Sequence, residues 1–91
     1  MKNLLRWSKQ GDSWIGCTFS PMYSNCHLTY QCTEHLPGTD SRYYTVKSVK
    51  DKRSSAPRWI HPPITLKATV RKLAYGKELC EFHAQQQLGT P

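Results

Sequence analysis

Two Cys-x-x-His pairs lie far apart in the chain, in the stretches QCTEH and LCEFH. The first stretch provides Cys32 and His35, and the second provides Cys80 and His83. Thiolate and imidazole are ligands that zinc prefers, and a structural zinc takes four of them in a tetrahedron. The two pairs therefore predict one Cys₂His₂ zinc site that joins a strand to a C-terminal helix.

The four cysteines can also be interpreted without a metal. The N-terminus MKNLLRWSKQ has only Leu4 and Leu5 where a signal peptide needs a longer apolar segment, so we expect an intracellular protein. Thiols stay reduced in that compartment, which favours free cysteines or metal ligands over disulfides. A secreted protein stapled by disulfides is the lesser alternative, and Cys17 and Cys26 could replace the histidines in a variant zinc site.

Catalytic chemistry has weaker support. His61 follows Arg58 and Trp59, and an imidazole beside a cation could cleave RNA by acid and base catalysis. No second acid or base is tied to His61 by its spacing, and the pair Cys80 and His83 suits ligands better than a nucleophile and its base. The sequence also has no glycine-rich phosphate loop and no helix-turn-helix pattern. We therefore predict that the protein is not an enzyme.

The positive charge is concentrated in one segment. Residues 42–77 hold ten of the thirteen Lys and Arg residues and one acid, Asp51, giving this segment a charge of +9 in a chain of +7. Clustered cations neutralise phosphates and release counterions, and the interleaved aromatic residues could stack on unpaired bases. The leading prediction is a nucleic-acid-binding domain, with RNA or single strands favoured. The predicted binding residues are Arg42, Lys47, Lys50, Lys52, Arg53, Arg58, Trp59, Lys67 and Arg71.

The same charge admits a second interpretation. Electrostatic steering serves protein partners as well as phosphates, so the basic face could dock on an acidic protein surface, as a small accessory factor or inhibitor does. The stretch KDKRSSAPRWIHPP combines a flexible basic centre with a stiff His-Pro-Pro end, and we expect a mobile basic loop around residues 51–58. No run approaches the roughly 20 apolar residues of a membrane helix.

The secondary-structure elements that carry the candidate zinc and binding residues are predicted to be short. Turn signals cut the chain into pieces at Gly11-Asp12, Ser20-Pro21, Pro37-Gly38, residues 54–57 and Pro62-Pro63. Alternation of apolar and polar residues predicts strands at 26–35 and 64–71, and aromatic and β-branched residues predict strands at 13–20 and 42–50. Leu28, Tyr30 and Cys32 would form the buried face of the strand at 26–35, and Ile64, Leu66, Ala68 and Val70 the apolar face of the strand at 64–71.

A helix is predicted at residues 77–88, with Glu78 and Glu81 in its first turns and Gly89 at its end. Residues 64–75 would also fit a helix that stops at Gly76, although the strand is preferred. The whole chain, 1–91, is of a size for one domain. The predicted class is mainly β, a small antiparallel sheet or barrel of about five strands with one short C-terminal helix, and α+β is the fallback.

Overall fold

A computed structural model describes residues 4–18, 28–51 and 59–88, with the side chains of 59–61 and 88 left out. Within these residues, five strands form one antiparallel sheet in the order β1-β2-β3-β4-β5, and one helix follows. The predicted mainly β class with a C-terminal helix is confirmed. The sheet is open, with β1 and β5 at its two edges. The elements are β1 Leu5–Gln10, β2 Ser13–Thr18, β3 Leu28–His35, β4 Tyr43–Asp51, β5 Trp59–Val70 and α1 Leu73–Leu88.

Strand β1 was not predicted, and its hairpin with β2 explains why it forms. Gln10 pairs with Ser13, so only Gly11 and Asp12 make the turn. Gly11 has a φ of 62°, a conformation that glycine adopts without the clash a Cβ would cause. The predicted turn signal at these two residues is therefore a two-residue β-hairpin.

One face of the sheet is covered by α1, and we call it the covered face. Successive side chains of a strand point to opposite faces, so the alternation predicted for β3 puts Leu28, Tyr30 and Cys32 on the same face, and all three are buried. Val46 of β4 lies opposite Cys32 and is also enclosed. The buried apolar residues are Leu5, Leu28, Tyr30, Cys32, Tyr44, Val46, Val70, Cys80 and Ala84.

The helix begins four residues before the predicted start, at Leu73. Its first turn contains no acidic residue, so Glu78 and Glu81 do not have the predicted role at the helix N-terminus. Gly76 lies within the helix and its amide donates a hydrogen bond to the carbonyl of Lys72 (3.2 Å). A Cβ at Gly76 would lie 3.2 Å from Cγ2 of Val46. The glycine therefore allows α1 to approach the sheet closely.

Strand β5 begins at Trp59 and runs through Pro62 and Pro63, where a turn was predicted. Proline is tolerated in an edge strand because its missing N–H can lie on the unpaired side. The predicted apolar face of β5 is only partly correct: Val70 is buried and Leu66 packs against the core, but Ile64 is exposed. The pairing of β4 with β5 shifts register at three places, which breaks the simple alternation of faces.

Two expectations concern other parts of the chain. Most of the predicted mobile basic loop, residues 52–58, lies outside the described residues. Among the residues that are described, no helix is long and apolar enough to cross a membrane.

Candidate functional site

The sheet face opposite α1 is the open face, and no described helix or strand packs against it. Antiparallel pairing aligns its side chains into rows that run across the strands. Most of these side chains are partly exposed. The residues that strand alternation assigns to the open face are Arg6, Ser8, Gln10, Ser13, Ile15, Cys17, Thr29, Gln31, Thr33, His35, Tyr43, Thr45 and Lys47.

The open face is cationic. Arg6 on β1 and Lys50 on β4 lie in one cross-strand row, three strand spacings or about 14 Å apart, and Lys47 lies in the neighbouring row that contains Gln31. Lys50 lies near the opposite end of β4 from Tyr43, beside a bulge in the pairing with β3. No carboxylate is among the described residues assigned to this face, because alternation and pairing put Glu34 and Asp51 on the covered side. The described cations of this face therefore attract an anion that approaches the sheet.

A pair of stacked rings lies on the same face. His35 and Tyr43 are direct cross-strand neighbours, with ring centroids 4.8 Å apart and planes inclined by 24°. Nε2 of His35 lies 2.9 Å from the hydroxyl of Thr45, and that hydroxyl donates a hydrogen bond to the carbonyl of Ala68 (3.0 Å). Because a hydroxyl has one proton, Nε2 must be the donor to Thr45. The bond fixes the imidazole orientation and leaves Nδ1 as the acceptor of the neutral ring.

Polar side chains connect the cations to the ring pair. Nε2 of Gln31 donates a hydrogen bond to Oγ of Ser13 (2.9 Å), and this oxygen lies 3.3 Å from Oγ1 of Thr33. Farther along the same strands, Sγ of Cys17 lies 3.6 Å from Oγ1 of Thr29. The middle of the open face is thus lined with hydroxyl and amide groups, which orient one another and have further hydrogen-bonding capacity.

The predicted binding residues are dispersed. Of these, Lys47 faces the open face, while Arg42 and Arg71 lie at the end of the sheet where β4 begins. Nε of Arg42 is 3.8 Å from Oε2 of Glu34, and Nη2 of Arg71 donates to the carbonyl of Asp40 (2.7 Å). These two arginines therefore help to hold the turn between β3 and β4.

The remaining predicted binding residues also lie in different places. Lys67 is exposed on the edge strand β5, opposite Val46, and Lys50 lies at the bulge in β4. Outside the described residues lie Lys52, Arg53 and Arg58, and the side chains of Trp59 and His61 are likewise not described.

The four predicted zinc ligands do not surround one point. Cys32 on β3 and Cys80 on α1 are both fully buried in the core between the sheet and the helix. His83 shares a 2.7 Å hydrogen bond between its Nδ1 and the hydroxyl of Tyr30. His35 lies three residues after Cys32 on the same strand and therefore on the open face. The described residues contain no group of three or more His, Cys, Asp or Glu arranged to hold a metal ion. The zinc site stays a prediction. Of its four predicted ligands, only the two cysteines share the buried core.

The thiols of Cys32 and Cys80 shift each other's pKa. A hydrogen bond from Cys80 lowers the pKa of Cys32, and the ammonium of Lys77 lowers it further against the effect of burial. The same hydrogen bond and burial raise the pKa of Cys80. The opposite directions of the two pKa shifts make Cys32 the more readily ionised of the two thiols.

Two parts of the open face could not be found from charge alone. Arg6 lies outside the basic segment, and its position depends on the unpredicted strand β1. His35 was assigned to zinc, although its stacking on Tyr43 follows from the register of β3 with β4. The available signal was the alternation of both strands together with the turn signal at Pro37 and Gly38 between them.

Comparison of the chain with family models, with curated protein sequences and with solved structures finds no match.

Proposed function

We propose that this protein is a non-catalytic domain that binds single-stranded nucleic acid, preferentially RNA, across the open face of its sheet. One observation carries the proposal: a cationic open face, without carboxylates among its described residues, bears the stacked rings of His35 and Tyr43. Single-strand binding needs cations along the phosphate backbone and aromatic rings for the bases.

The dimensions of the face suit a short strand. Tyr43 and Lys47 are four residues apart on β4, which is about 14 Å along the strand. A base stacked on the ring pair would therefore leave the next phosphates near Lys47 and Lys50. A flat sheet does not fit into the grooves of a duplex as a helix does, so an unpaired strand is the better ligand.

RNA is favoured over DNA because of the polar middle of the face. Thr33 and Thr45 form the cross-strand pair next to the ring pair on the open face, and Gln31 lies two residues farther along β3, so all three can hydrogen bond to riboses lying along β3 and β4. The 2′-hydroxyl can donate and accept such bonds, and DNA lacks it.

The test is fluorescence anisotropy with a labelled single-stranded 12-nucleotide RNA at low salt, followed by a salt titration. We expect Lys47→Glu to weaken binding by about tenfold and to make the dependence of affinity on salt shallower. Lys72→Glu is the matched control, because it makes the same charge change at an exposed position just before α1. We expect it to weaken binding less than about threefold, because Lys72 lies beyond the end of β5, where the chain leads into α1 on the covered face.

Two results would contradict the proposal. One is the lack of any RNA binding at low salt by the natural protein. The other is an equal effect of the two substitutions, which would mean that total charge rather than the open face determines affinity. Single-stranded DNA and duplex RNA of the same length complete the comparison, and we expect both to bind more weakly than the single-stranded RNA.

A further inference from the structure

Cys32 and Cys80 are 48 positions apart in the sequence and meet at the centre of the covered face. Neither side chain has any exposed surface. Gly76 lies one helical turn before Cys80, and a Cβ there would be 3.5 Å from Sγ of Cys32. Because residues four apart share a helix face, Cys80 lies on the side of α1 that packs over Cys32. Gly76 thus brings the turn of α1 that leads to Cys80 against Cys32 of β3.

Two buried thiols from distant parts of a chain can form a disulfide within the protein, which a single buried cysteine cannot do. The other described cysteine, Cys17, is half-buried on the open face and contacts a threonine hydroxyl. Only Cys32 and Cys80, among the described cysteines, belong to the buried core, where α1 packs on the sheet. Disulfide formation needs two sulfurs within reach on backbones that approach closely, and a glycine in the helix supplies that approach here.

We propose that Cys32 and Cys80 form a reversible disulfide that locks α1 onto the sheet, with a peroxide as the oxidant. In the first step, the sulfur of Cys32 attacks one oxygen of hydrogen peroxide, the O–O bond breaks, and Cys32 becomes a sulfenic acid while one water is released. In the second step, the sulfur of Cys80 attacks the sulfur of Cys32, the S–O bond breaks, and a second water leaves with the thiol proton. One peroxide is reduced to two waters, and two thiols are oxidised to one disulfide.

The location of the pair determines what the bond does. Both sulfurs are enclosed, so a small uncharged oxidant can reach them only when α1 opens slightly from the sheet. The bond then joins α1 to β3 and closes a long loop, which stabilises the folded protein by limiting the unfolded chain. The covered face is opposite the proposed RNA-binding face, so this inference does not depend on RNA binding.

The experiment uses the Cys17→Ser/Cys26→Ser variant, which leaves only the two cysteines in question. The reduced protein is treated with hydrogen peroxide, then unfolded with N-ethylmaleimide, and its intact mass is measured. We expect a loss of two hydrogens and no maleimide addition, with the cross-link between peptides 10–42 and 78–91 recovered after trypsin digestion. Dithiothreitol should restore two reactive thiols. The melting temperature of the oxidised form should exceed that of the reduced form by more than about 5 °C.

Three outcomes would overturn the proposal. The first is addition of two maleimides after peroxide treatment. The second is a disulfide that forms only in urea, because the folded arrangement would then not promote it. The third is a disulfide that lowers the melting temperature. If the double variant does not fold, the natural chain is oxidised and digested with pepsin, and a cross-link other than Cys32 to Cys80 gives the same negative result.

Discussion

The imidazole of His35 stacks on the phenol of Tyr43 across the β3–β4 pairing, with 4.8 Å between the ring centroids. Both side chains are partly exposed, so their position does not serve to fill the core. The hydrogen bond from His35 to Thr45 fixes one ring, and stacking orients the other. An aromatic surface that is already oriented loses little conformational entropy when it binds a flat ligand.

Replacing Tyr43 by Leu should weaken RNA binding by about 1–3 kcal/mol, because one stacking surface for a base is lost. The control is Tyr75→Leu, which removes an exposed tyrosine from α1, away from the open face. We expect this control to bind RNA as the natural protein does, measured by the same anisotropy titration. Equal losses in the two variants would contradict a role for the ring pair.

The hydroxyl of Tyr30 supports the packing of α1. It is enclosed and shares a 2.7 Å hydrogen bond with Nδ1 of His83, and the two rings meet edge to face at 5.5 Å. Tyr30→Phe should lower the free energy of unfolding by about 1–2 kcal/mol, because it removes a short, buried hydrogen bond. Tyr44→Phe is the comparison, since its hydroxyl lies at 3.5 Å from Glu34, and we expect it to cost less than about 0.5 kcal/mol. Urea denaturation measures both, and a larger loss for Tyr44→Phe would refute this assignment.

Glu81 connects the helix to the beginning of β1. Its carboxylate oxygens accept hydrogen bonds from the amides of Leu4 (2.8 Å) and Leu5 (3.0 Å). Glu81→Ala should lower stability by about 1–3 kcal/mol, because two amides lose a charged acceptor. Glu78→Ala changes the same residue type one turn earlier, at an exposed position, and should change stability by about 0.5 kcal/mol or less. The prediction is wrong if both variants have the same urea midpoint.

Gly16 gives space to the indole of Trp7. The two residues pair directly across β1 and β2, and a Cβ on Gly16 would lie 2.9 Å from three atoms of the Trp7 ring. The ring is also held from the helix side, where Nζ of Lys77 lies 5.5 Å from its centroid. Gly16→Ala should therefore cost about 1–3 kcal/mol. Adding Trp7→Leu to Gly16→Ala should recover part of the loss, so the double variant should cost less than the sum of the single variants.

The zinc prediction can be tested by mass. Native mass spectrometry of the freshly purified protein should give the mass of the chain alone, because His35 and Cys32 lie on opposite faces of the sheet. An excess of one zinc that disappears on denaturation would contradict this expectation. In that case, Cys32→Ser and Cys80→Ser would show whether the thiols are its ligands, since loss of either should abolish the excess.

Strand β3 was predictable because apolar and polar residues alternate along it, and β2 and β4 were predictable because they are rich in aromatic and β-branched residues. The burial of Leu28, Tyr30 and Cys32 followed from that alternation alone. Strand β1 was missed because its apolar side rests on Leu5 and Trp7 only, with charged or polar residues between and after them. Its stability depends on pairing with β2 and on contacts with α1, which are distant in the sequence.

The candidate site was only partly predictable. The charge of the segment 42–77 indicated a binding surface, but which cations share a face depends on register and bulges. Arg42 and Arg71 look like Lys47 in the sequence, yet both contact groups at the turn before β4. The ring pair of His35 and Tyr43 arises from the register of β3 with β4, which alternation and a turn signal suggest but do not fix.

The order of the sheet has a consequence for how quickly the protein reaches its native state. Each strand pairs with its neighbour in the sequence, so the sheet can assemble one hairpin at a time with little loop-closure entropy. Contacts of Glu81 with Leu4 and Leu5 span more than 75 residues and can form only after the strands and the helix are present. Glu81→Ala should therefore accelerate unfolding and leave the refolding rate nearly unchanged. The lifetime of the folded protein would then be set by how firmly the middle of α1 holds the start of the first strand.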